Sequence, residues 1–147
     1  MFLLRLLFAW LAATAVTAVA GSIIQTQINL ARIAGLGHPV GWRARLETTW
    51  ADLLGFAPIY ALLVLAAFLF AFLVAGWLAR RRPHWRGGLF TLAGAVAIAV
   101  MLWLMSMALP VTVIGAARFV HGQLLLIAAG ALGGWVYARL TLSRTPR

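Results

Sequence analysis

Residues 89–114 read LFTLAGAVAIAVMLWLMSMALPVTVI, and this stretch decides the fold. It contains no charged side chain. A bilayer core takes about 20 consecutive apolar residues as helix. The run is continuous and does not alternate apolar with polar residues, so it does not read as a barrel strand. Three other segments have the same character, at about residues 2–24, 50–79 and 119–142. The first has only Arg5 near its start. The second has no charge after Asp52 until Arg80, and the last has none from Phe119 to Ala138. The expected fold is an all-α membrane protein: a four-transmembrane-helix bundle forming a single integral membrane domain over residues 1–147.

The composition of the 147-residue chain points the same way. Hydrophobic residues make up 65% and charged residues 10%, and the mean hydropathy is +1.02. Soluble domains run at about 45–50% apolar and about 25% charged, so a soluble globular domain and a disordered chain are excluded as classes. The absence of cysteine removes disulfides, thiolate metal sites and thiol catalysis.

All 12 basic residues are Arg, and the acids are Glu47 and Asp52 alone, for a net charge of +10. The arginines flank apolar runs, which favours the membrane surface over nucleic acid as their partner. Eight fall on one side (Arg5, Arg80, Arg81, Arg82, Arg86, Arg139, Arg144, Arg147) and four on the other (Arg32, Arg43, Arg45, Arg118). Short cytoplasmic loops are the Arg-rich ones, so both termini are expected in the cytoplasm. Arg-only usage with abundant Ala, Gly and Leu looks like a GC-rich bacterial genome, so the expected location is a bacterial inner membrane. Ala18-Val19-Ala20 before Gly21 resembles a signal-peptidase site. The apolar run is long for such a leader, so the segment is expected to remain as a span.

The stretch at about residues 25–49 is expected to be a long outer, periplasmic connection with amphipathic character. Gln25, Asn29 and Arg32 share one helical face, which predicts an extension of the first helix. Gly35, Gly37, Pro39 and Gly41 then break it. Trp42, Leu46, Trp50 and Leu53 repeat at near-helical spacing and predict a second, interfacial helix. Thr49-Trp50-Ala51-Asp52 has capping-box spacing, with Asp in place of the usual Glu or Gln. Pro58 and Pro110 are expected to kink their helices.

The polar residues of this side form a candidate docking site: Gln25, Asn29, Arg32, His38, Arg43, Glu47, Asp52, Arg118 and His121. Arg43 and Glu47 are an i,i+4 pair. Arg118 is expected to meet an acid, Asp52 in preference to Glu47, because a partly buried charge requires a partner. On the opposite side, Arg80, Arg81, Arg82 and Arg86 are candidate contacts for anionic lipid.

Membrane helices associate where small residues let backbones approach. Candidate seams are Ala9, Ala13, Thr17 and Gly21; Ala67, Ala71, Ala75 and Ala79; and Thr91, Ala95 and Ala99. Gly130, Gly133 and Gly134 are the most informative set, because glycine is costly in a helix unless close packing uses it.

No acid lies mid-span, so a carboxylate relay for protons or sodium has no candidate. His38, His84 and His121 lack paired spacing, and Met101, Met105 and Met107 read as core fillers. No catalytic, metal or cofactor residue is assigned. The expected function is a non-enzymatic accessory or assembly subunit. Its expected partners are membrane lipids, anionic ones included, and another membrane protein or a second copy, but no nucleic acid. The alternatives are an oligomeric transporter or channel for a small or lipidic solute, and a lipid-modifying enzyme.

Overall fold

The computed structural model describes residues 2–108 and 114–141. Four helices occupy them: α1 (Phe2–Gly35), α2 (Trp42–Arg81), α3 (Arg86–Ala108) and α4 (Val120–Thr141). Single 3-10 turns at Pro83–Trp85 and Gly115–Arg118 lead into α3 and α4. All four helices are long and apolar enough to cross a membrane. The chain is a multi-pass membrane protein with four candidate spans. Each helix packs on the next, and α4 returns to α1, so the bundle is a closed ring with its sparsest seam between α2 and α3.

The helices differ in length. At about 1.5 Å per residue, α3 and α4, with 23 and 22 residues, extend ~35 and ~33 Å, close to a hydrocarbon core of about 30 Å. The 34 residues of α1 and 40 of α2 extend ~51 and ~60 Å by the same rise. Their linked ends therefore project beyond the other pair as a helical hairpin.

This corrects the expected connection. Only residues 36–41 lie outside the helices, and the rest of 25–49 is the last part of α1 and the first part of α2. The interfacial helix and the second span are one element. Thr49 caps nothing: its hydroxyl donates to the Arg45 carbonyl at 2.7 Å, the back-bond available to a Thr already inside a helix. Helix α2 also runs through Pro58. The turn closes on Gly37, whose φ of 89° suits a residue without Cβ. Pro110 lies outside the described residues.

Packing follows the small residues. A Cβ built on Gly94 of α3 would overlap the Gly130 carbonyl, and one on Gly134 would overlap the Phe90 carbonyl. Helices α3 and α4 thus meet backbone to backbone. Gly133 faces the other neighbour, where Ala13 and Thr17 of α1 fill the place of its missing side chain. Thr17 Oγ1 donates to the Ala129 carbonyl at 3.3 Å. The α3 seam is not the expected row: Thr91, Ala95 and Ala99 are half-buried, while Phe90, Gly94, Ala97 and Ile98 are buried. The phase of a small-residue row in an Ala-rich helix is set by where its glycine finds another.

The centre is aromatic. Tyr60, Val64, Phe68 and Phe72 form one buried row on α2. Phe72 stacks on Phe68 at 4.6 Å between centroids, lies 4.5 Å from Tyr137, and meets Phe90 edge-on at 5.6 Å. Gly21 makes room for the Tyr60 ring.

Candidate functional site

The hairpin end gathers most of the polar residues, but in separate groups. Between α1 and α2, Thr26 Oγ1 donates to Asp52 Oδ2 at 2.5 Å. Gln27 Nε2 donates to Thr49 Oγ1 at 3.0 Å, and Arg45 Nη1 donates to Gln27 Oε1 at 3.1 Å. These bonds tie the hairpin together, and Gln27, Arg45 and Thr26 lie outside the candidate set. Their signal was their spacing opposite Asp52 and Thr49 across a tight turn.

Between α1 and the approach to α4, Asn29 packs against Gly115, where a Cβ would approach its side chain at 2.7 Å. The Arg32 guanidinium lies 4.7 Å from the centroid of the Phe119 ring, and His121 stacks on the same ring at 5.5 Å. Phe119 thus meets both Arg32 of α1 and His121 of α4. The remaining candidates stand apart. His38 is exposed in the turn. Arg43 and Glu47 pair at 2.8 Å with both side chains largely in solvent, an arrangement that contributes at most about 1 kcal/mol.

Two expectations are overturned. Arg118 pairs with neither acid: Arg43–Glu47 is the only ion pair among the described residues. Arg118 is exposed, so its charge is solvated without a carboxylate, and Asp52 is met by the neutral Thr26. Gln25 is buried, with its Oε1 lacking a hydrogen-bond partner. Its face of α1 turns into the bundle, so it cannot form part of an external docking surface.

What the hairpin does expose is apolar. Trp42, Leu46, Trp50 and Leu54 recur at i,i+4 along α2 and are each more than half exposed. Trp42 and Leu46 precede the span expected from about residue 50, and large exposed apolar surface outside a bilayer marks a contact surface.

The opposite end is basic. Arg5 Nε donates to the Leu140 carbonyl at 2.8 Å, and Arg86 Nη2 donates to Thr141 Oγ1 at 2.9 Å. Cations from α1 and α3 thus meet the last turn of α4, where unpaired carbonyls carry the negative end of the helix dipole. Arg81 lies over the Trp77 ring at 4.4 Å and Arg139 over Trp135 at 4.9 Å. Arg80, Arg81 and Arg82 are exposed, while Arg86 is half-buried.

No group of three or more His, Asp or Glu among the described residues could hold a metal ion. No family model, curated protein or solved structure matches the chain. The functional reading therefore rests on the geometry alone.

Proposed function

We propose that the protein is a non-enzymatic accessory or assembly subunit of a bacterial inner membrane that docks a second membrane protein through its α1–α2 hairpin. One observation carries this reading. The hairpin is tied internally by three side-chain bonds, yet it turns Trp42, Leu46 and Trp50 outward at 75%, 61% and 65% exposure. A pre-ordered helix face with aromatic anchors binds a partner at little entropic cost. A photoreactive residue in place of Leu46 should give one protein adduct in native membranes. The same partner should copurify in stoichiometric amount and be lost with Trp42→Ser, Leu46→Ser and Trp50→Ser combined. Adducts to lipid alone would overturn the reading and leave the stripe as an interfacial anchor.

In this reading both termini are cytoplasmic and the hairpin is periplasmic, as the arginine distribution favours. The chain has no native cysteine, so single cysteines report cleanly. An impermeant thiol reagent applied from outside should label Gly37→Cys and miss Gly87→Cys. The reverse pattern would put the hairpin in the cytoplasm.

A further inference from the structure

The sparse α2–α3 seam opens into a lateral groove of about 660 Å³ with wholly apolar walls. The α2 wall is Leu63, Ala66, Ala67, Phe70, Ala71, Val74, Ala75 and Leu78, a strict alternation of three and one. One helical turn beyond Leu78 come Arg81, the last residue of α2, and Arg82, its C-cap. The α3 wall starts at Leu89, and the helical positions one turn before it are Trp85 and Arg86. Both walls therefore run directly into the arginine turn.

The charge there is uncompensated. The chain's two acids, Glu47 and Asp52, are both on the hairpin, at the other end. The side chains of Arg80 and Arg82 form no ion pair or hydrogen bond among the described residues, whereas Arg86 donates to Thr141 through Nη2 and keeps its Nε buried. An anion from outside the chain is the natural complement, and the apolar groove asks that it carry a hydrocarbon tail.

Size selects the tail. The groove runs ~23 Å along the helices at about 1.5 Å per residue, longer than one leaflet of a core about 30 Å thick. Alanines at its floor leave a narrow slot, which suits a single flexible chain.

We propose that this groove and turn bind one anionic phospholipid, with an acyl chain in the slot and the phosphate on Arg81 and Arg82. The site lies at the opposite end from the hairpin and does not depend on the docking reading. Basic clusters beside a span attract anionic lipid head groups.

The test uses the full chain, purified in detergent and read by native mass spectrometry and thermal unfolding. Phosphatidylglycerol should be retained as one molecule per chain and raise the Tm, with at least tenfold preference over phosphatidylcholine. Arg81→Gln with Arg82→Gln should remove the preference. Ala71→Phe, or Ala93→Phe as a second choice, should fill the slot and abolish retention with every arginine intact. Lipid-free Tm near wild type shows that the variants fold. Equal binding of the two lipids overturns the proposal. So does equal stabilisation by inorganic phosphate, which would mean an anion site without a tail. A filled slot that changes the oligomeric state and leaves lipid binding intact would assign the groove to a second copy.

Discussion

Gly134→Leu should prevent α3 and α4 from assembling. A Cβ at this position falls on the Phe90 carbonyl and comes within 3.1 Å of Thr91 Cα. Both obstacles are backbone, so no rotamer change relieves them and one helix has to move away. Overpacking costs about 1–3 kcal/mol where side chains can adjust, and here the upper end of that range or more is expected. Thermal unfolding and size-exclusion chromatography in detergent measure it. The control is Gly55→Leu, where a Cβ meets nothing within 4 Å, and it should behave as wild type. A Gly134→Leu protein with unchanged Tm and unchanged oligomeric state would show that this face of α4 is not a seam.

Phe72→Ala should be the next most damaging change. Its ring touches Phe68, Phe90 and Tyr137 and so joins α2, α3 and α4. In water-soluble proteins such a truncation costs about 3–5 kcal/mol, part of it the transfer of apolar surface out of water. In a bilayer that part is missing, because the separated helices still lie in hydrocarbon. The cavity and lost dispersion contacts remain, so a loss of about 2 kcal/mol is expected from the same cavity argument. Reversible unfolding in bicelles reads it, and Phe72→Leu should cost less than half as much. If both variants unfold with wild-type energetics, the aromatic cluster does not hold the three helices together.

The four spans were legible because an uncharged run of that length has few other solutions in water or lipid. The glycine cluster was legible as well: three costly residues between Gly130 and Gly134 imply close approach. Gly94, its counterpart, carries no such signal, being one glycine among alanines. Helix from Trp42 was legible in the near-helical spacing of Trp42, Leu46, Trp50 and Leu53, but the span edge near Trp50 marks only where hydropathy rises, and helical hydrogen bonding runs through it unbroken. Charge counting misled at Asp52. With only two acids and twelve arginines, an Arg partner looked inevitable, yet the nearest donor across the hairpin is the Thr26 hydroxyl. The face shared by Gln25, Asn29 and Arg32 was identified by periodicity, but its direction was not. It turns toward the start of α4, burying Gln25 and setting Arg32 on Phe119. The α2–α3 groove was invisible for a similar reason: alanines at helical spacing line a slot and a tight seam alike.

The seam between α1 and α4 also sets a schedule for biosynthesis. Thr17 and Ala129 are 112 residues apart, and Arg5 and Leu140 are 135 apart. At about 5–20 residues per second, translation separates the members of the first pair by roughly 6–22 s. During that interval α1 is in the bilayer without α4, so Ala13 and Thr17 of that seam lack their partner. Helix α1 thus waits for α4 to complete its seam. A chain that stops before α4 would leave Ala13 and Thr17 of α1 without the glycine face that covers them.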